Sequence, residues 1–78
     1  MVVKAYVLIE TGVRKSRDVA KAISQLEGVQ SVDVVTGPYC IIAVIEGVDL
    51  DAIGEIVTTK LHSIGGIYRT VTCLTVRS

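Results

Sequence analysis

The chain has no phenylalanine and no tryptophan, one proline, one histidine, and a formal net charge of zero. Each shortage removes a class of protein. Without Phe and Trp the apolar half of the composition rests mainly on Val and Ile, which suit a pleated, half-buried surface, so a sheet is expected. A zero net charge leaves no basic footprint for nucleic acid. The run Arg14-Lys15-Ser16-Arg17 is a partial exception, and its plain reading is a solvated loop leading into a helix. Two cysteines, Cys40 and Cys73, do not make a disulfide framework, and two reduced thiols in a cytoplasmic chain is the simplest reading. No signal peptide is visible, because only five apolar residues separate Lys4 from Glu10. The longest apolar run, Cys40 to Ile45, is far short of the roughly 20 residues that span a membrane.

Catalytic and metal-binding patterns are equally scarce. Cys40, Cys73 and His62 show no ligand spacing, so no metal and no cofactor is expected, and both thiols read as small buried hydrophobes. A nucleophilic Cys40 needs a nearby base, and the single histidine falls late in the second helix, in the opposite layer. No glycine-rich loop opens a helix in the manner of a phosphate cradle; Gly65-Gly66 follows a helix and reads as its end. Asp49 and Asp51 sit where helix stability alone would put them.

What the chain does hold is a regular order of elements in a single domain, residues 1–78. Val2 to Glu10 reads as a strand. Ser16 is placed to cap a helix, with Asp18 in its first turn and Val19, Ala22, Ile23 and Leu26 at helical spacing. Gly28 reads as its left-handed stop. Val29 to Thr36 is a more polar edge strand, Gly37-Pro38 a turn, and Tyr39 to Glu46 a central strand. Asp49 caps a second helix with the stripe Leu50, Ile53, Val57, Leu61 and Ile64, and Ile67 to Val76 is the last strand. The halves repeat at an offset of 38 residues, so that Leu26, Gly28 and Val29 align with Ile64, Gly66 and Ile67. Two such units interleave into an α+β, ferredoxin-like βαββαβ fold. Its four-stranded antiparallel sheet has the expected order 4-1-3-2 and carries both helices on one face.

Two helices cover only one face of that sheet. The other face holds Tyr6, Leu8, Ile42 and Val44, which are not the residues of a solvated surface. A second copy of the sheet across a two-fold axis is the simplest cover, so the chain is expected to dimerise through the sheet. A positive mean hydropathy points the same way.

The most distinctive local segment is Thr36-Gly37-Pro38-Tyr39-Cys40. Thr36 brings a hydroxyl, Gly37 a close backbone approach, Pro38 a fixed turn, and Tyr39 an aromatic wall with a polar tip. Exposed amides in such a turn can hold a carboxylate. From the residues alone, an ordinary hairpin turn is the stronger reading.

The run from Ala5-Tyr6-Val7-Leu8-Ile9 through Leu26-Glu27-Gly28-Val29 and Val34-Val35-Thr36-Gly37-Pro38-Tyr39 to Ile42-Ala43-Val44-Ile45 and Gly65-Gly66-Ile67 resembles a known family. It is similar to the C-terminal effector domain of the Lrp/AsnC transcription regulators, the RAM domain, along essentially its whole length. The resemblance implies no enzymatic activity. It implies a ferredoxin-like domain that dimerises through its sheet, assembles as a dimer or as an octamer of four dimers, and binds an amino acid at subunit interfaces. It points to Thr36, Gly37, Pro38, Tyr39 and Cys40 as ligand-binding residues, and more weakly to Thr70 and Thr72. Two departures stand out. The chain begins at the first strand, without the family's helix-turn-helix, so a stand-alone RAM protein without direct DNA binding is expected, with full-length Lrp/AsnC regulators as a possible partner. Cys40 stands where the family motif usually has Asp. A carboxylate there can pair with an ammonium or hold the turn, and a thiol does either poorly, so binding is expected to be weakened, altered or lost. An ACT-like regulatory domain shares the topology but calls for a glycine-rich turn after the first strand, which Thr11-Gly12-Val13 matches only faintly. A small dimeric α+β barrel enzyme would need polar groups between its sheets, where this chain has mostly Val, Ile and Ala.

Overall fold

Strict alternation in two strands decides the layering. A computed structural model describes residues 2–12 and 14–76. In it, β1 (Val3–Thr11) buries Ala5, Val7 and Ile9 completely and turns Tyr6 and Leu8 the other way. β3 (Ile41–Gly47) buries Ile41, Ala43 and Ile45 in the same manner. The two strands pair antiparallel with Ala5 opposite Ile45, Val7 opposite Ala43 and Ile9 opposite Ile41, which joins these side chains into one apolar strip. β2 (Val29–Val34) flanks β3 and β4 (Ile67–Leu74) flanks β1, giving the expected order β2-β3-β1-β4 with every pairing antiparallel.

Both helices close over that strip. α1 (Ser16–Ser24) contributes Val19 and Ile23. α2 (Leu50–Glu55) begins at Asp49, whose carboxylate accepts the Ala52 N–H at 2.8 Å, as expected of a cap. It then widens into a π-helical segment, Ile56–Leu61. Hydrogen bonds that reach one residue further bring Ile56 and Leu61, five apart, onto one buried face. The architecture is the ferredoxin-like βαββαβ fold, with one sheet face bare.

Several boundaries differ from the sequence reading. Ser16 is already helical; Lys15 holds the capping position and makes no side-chain bond there, so α1 starts uncapped. β2 stops at Val34 and β3 starts at Ile41, because the segment between them is spent on a wider loop. β4 ends at Leu74. Of the second-helix stripe, Ile53 and Leu61 are buried and Val57 and Ile64 pack half-buried against the core, but Leu50 is 59% exposed, and the π segment adds Ile56 to the buried face. Cys40 packs half-buried against the core, as expected of a small hydrophobe, but Cys73 is exposed on the bare face. Of Thr11-Gly12-Val13, Val13 lies outside the described residues.

The 38-residue repeat is visible in the backbone. Gly28 and Gly66 occupy equivalent corners at φ 94° and 97°. A Cβ on Gly28 would lie 2.7 Å from Ile56 Cδ1, and one on Gly66 would lie 3.2 Å from Val19 Cγ2. Each half therefore closes its corner against the other half's helix. Gly28→Ala and Gly66→Ala are expected to cost about 1–3 kcal/mol each. Gly65→Ala, with open space around it and no positive φ, changes stability by less than about 0.5 kcal/mol or raises it slightly. Urea unfolding midpoints of the three variants check this.

Candidate functional site

The loop joining β2 to β3 is a four-residue hairpin connection, Thr36 to Tyr39, closed by the Val35 N–H donating to Cys40 O at 2.8 Å. The Cys40 N–H donates to Ile9 O at 2.9 Å and ties the far end to β1. Thr36, Gly37 and Pro38 are exposed. Gly37 sits at φ 146°, and a Cβ there would meet nothing within 4 Å, so the loop tip stands clear of the protein.

Its base is held by a polar clamp. Arg69 on β4 lies over the Tyr39 ring, its Cζ 5.4 Å from the centroid, and its Nη2 donates to Tyr39 Oη at 3.2 Å. Arg69 Nε is 3.6 Å from Glu10 Oε1 on β1. The pairing register explains the meeting, since Glu10 and Arg69 are direct cross-strand partners. Each contact is weak alone: an exposed ion pair contributes about 0–1 kcal/mol and an exposed cation–π contact about 0.5–1 kcal/mol. Together they orient the one aromatic ring of the loop. Composition did not single out Glu10 and Arg69; the one signal was a lone charge on a strand otherwise uncharged from Ile67 to Leu74.

The remaining candidates lie on the helix side of β4. Thr70 lines a hollow of about 140 Å³ with His62, Ile64, Tyr68 and Arg69, the arginine that also holds Tyr39. Thr72 lines a groove of about 330 Å³ between β4 and α2, with Leu50, Val57 and Leu74. Thr36, Gly37, Pro38, Tyr39 and Cys40 line neither. The smaller hollow is below the roughly 300–1,000 Å³ of pockets that enclose a drug-sized ligand. A third hollow, about 280 Å³, carries Glu27, Glu46, Glu55 and Lys60 at the opposite end of the sheet. Among the described residues no three His, Cys, Asp or Glu side chains are grouped to hold a metal. Among the same residues no helix is long and apolar enough to cross a membrane.

The bare sheet face has an apolar centre and a polar border. By register, Tyr6, Leu8, Ile42, Val44, Val71 and Cys73 share it. Lys4, Glu10, Glu46 and Arg69 edge it, with the Lys4 ammonium 5.3 Å from the Tyr6 ring centroid.

The model of the Lrp/AsnC ligand-binding domain matches residues 4–78. The chain belongs to this family. The Lrp/AsnC domain is a transcription-regulator ligand-binding domain and not an enzyme family. The domain is similar to the protein TTHA0845 of Thermus thermophilus, at 33% identity and TM-score 0.92 over 97% of this chain and 95% of that one. It is also similar to a hypothetical protein of Pyrococcus horikoshii, at 27% identity and TM-score 0.89 over 100% and 93% of the two chains. A transcriptional regulator of Neisseria meningitidis, solved as a complex with L-Met, shares the fold at 17% identity and TM-score 0.84. The match takes in 96% of this chain and 50% of that regulator. No functionally curated protein matches. The ACT-like and barrel-enzyme alternatives are not the family matched.

Because Arg69 bridges the loop and the sheet, its contacts to Tyr39 are expected to couple. A double-mutant cycle of Tyr39→Leu and Arg69→Ala, read from urea midpoints, gives an interaction energy of about 0.5–1 kcal/mol.

Proposed function

We propose that this Lrp/AsnC domain is a non-enzymatic, cytoplasmic effector-binding and assembly module. Its ligand is an amino acid held at an interface between subunits by Thr36, Gly37, Pro38, Tyr39 and position 40. The observation that carries the reading is a loop with a free tip and a clamped base, on a chain matched to the ligand-binding domain along residues 4–78. The L-Met complex of the Neisseria meningitidis regulator supports an amino acid as the ligand class. Thr36 to Cys40 line none of the three hollows described for the protomer, which favours a site completed by a neighbouring subunit.

Dimerisation through the bare sheet face is part of the same reading. An apolar centre with a charged border is the anatomy of an interface core and rim. A full-length Lrp/AsnC regulator offers the same kind of face, so mixed assemblies are a natural partner class. A ligand bound between subunits shifts the assembly only by its differential affinity for the two states.

Position 40 tunes the ligand. The Cys40 thiol is a weak donor and carries no fixed negative charge to meet an ammonium. Cys40→Asp is expected to tighten amino-acid binding about tenfold, the worth of one added charge-assisted hydrogen bond. Titration calorimetry with the twenty common amino acids, on wild type and on this variant, reads both affinity and ligand identity. Heat from neither protein with any amino acid would end the sensing claim. Leu8→Lys places a charge in the apolar centre of the face and is expected to lower the solution mass measured by light scattering. An unchanged mass would show that the face is not the interface.

A further inference from the structure

The two edges of the sheet are treated differently. β2, the edge beside β3, is six residues long, exposes Gln30, Ser31 and Asp33, and carries an irregularity between Val29 and Ser31. These are the devices that keep an edge from pairing with another chain. β4, the edge beside β1, has none of them along its second half. It is eight residues long, its pairing to β1 is regular from Arg69 to Leu74, and from Thr70 to Val76 the sequence holds no charge and no proline.

The backbone of that edge can be oriented. The Thr75 N–H donates to Lys4 O directly opposite, at 3.0 Å. In an antiparallel ladder, bonded and non-bonded pairs alternate. Cys73 and Val71 therefore direct their N–H and C=O groups to Tyr6 and Leu8, while Thr70, Thr72 and Leu74 direct theirs outward, where the sheet order among the described residues places no further strand. The side chains of those same three residues face the helix layer, beside the groove lined by Leu50, Val57, Thr72 and Leu74.

We propose that the β4 edge is a docking surface for the β4 edge of a second copy of this chain, antiparallel across a two-fold axis through Thr72. Three properties select that occupant. The outward groups are self-complementary: Thr72 bonds the second copy's Thr72, and Thr70 and Leu74 bond the second copy's Leu74 and Thr70. The side chains match as well, because this register sets Tyr68, 75% exposed, against the second copy's Val76, 91% exposed. Among the described residues no like charges meet, since Arg69 faces the second copy's Thr75 and the two Arg69 residues stand roughly 20 Å apart along the strand, beyond a Debye length of about 8 Å. The seam joins two four-stranded sheets into one of eight strands and brings the two grooves together. It rests on the strand edge alone and stands or falls independently of the loop's ligand.

Thr72→Pro tests it. A proline at an edge position whose N–H points outward spares the ladder to β1 and removes the central pair of inter-copy bonds. With far-UV circular dichroism unchanged, its solution mass is expected to fall, to half that of a wild-type dimer or tetramer and to a quarter that of an octamer built from face-linked dimers. An unchanged mass, or a wild-type chain that is monomeric at hundreds of micromolar, overturns the proposal. An unchanged mass is also the result if the edge serves an extended peptide from another protein. A second measurement does not depend on tolerance of the proline. In this register Val71 and the second copy's Cys73 form a non-bonded pair with Cα atoms about 4.5 Å apart, within disulfide reach. Val71→Cys in a Cys40→Ser background is expected to give, under mild oxidation, a disulfide between copies from the introduced thiol to Cys73, identified by peptide mapping. Dimers linked only through Cys73 to Cys73, or no crosslink, would rule out the register and with it the seam.

Discussion

The ladder between β1 and β3 is the constraint on which the other elements depend. It sets Ala5, Val7 and Ile9 against Ile45, Ala43 and Ile41 with no solvent exposure. A one-residue slip would turn that whole set to the other face. Fixing this register fixes everything hung on it: the helices have one strip to cover, β2 and β4 have one edge each to join, and the β2–β3 loop must leave the sheet beside Ile9. The same alternation leaves Tyr6, Leu8, Ile42 and Val44 on the face that no helix reaches. The apolar character of that bare face follows from the strands themselves.

Much of this was legible in the sequence because a period of two and a stripe at helical spacing are direct images of burial. The strand order followed from the 38-residue repeat and the handedness of crossovers. The second-helix stripe was incomplete where the chain widens. No single residue between Ile56 and Leu61 announces a π-helical segment, and an α-helical template passes over Ile56, which the wider turn buries beside Leu61. The cap at Ser16 failed for a different reason. A serine before a periodic run is a good cap only if the chain enters the helix there, and this chain has already turned into it at Lys15. Asp49, preceded by Gly47-Val48 at a strand end, had no such competing entry.

The loop was legible as a segment but not as a site. Thr36 to Tyr39 stood out by composition, yet what gives the loop a defined base comes from residues distant in the chain. Tyr39 and Arg69 are 30 positions apart, and Glu10 reaches Arg69 only through the β1–β4 register. Such partners have no local signature. They appear once the register is known, and then they follow from it without further assumption. The orientation of Thr70 and Thr72 is of the same kind: both lie on the helix side of β4, a fact of parity that no motif states.

The hydrogen bonds from Thr75 to Lys4 join residues 71 positions apart. During synthesis, which proceeds from the amino terminus, β1 is made first and its outer partner last. Until β4 arrives, β1 itself is a sheet edge, flanked by apolar side chains on both faces. The corners at Gly28 and Gly66 compound the delay, since each is closed by the opposite half's helix. Neither half has a finished surface of its own, so the domain is expected to gain its structure in one late, cooperative step once β4 has been made, with a short window in which its most adhesive strands are open to neighbours.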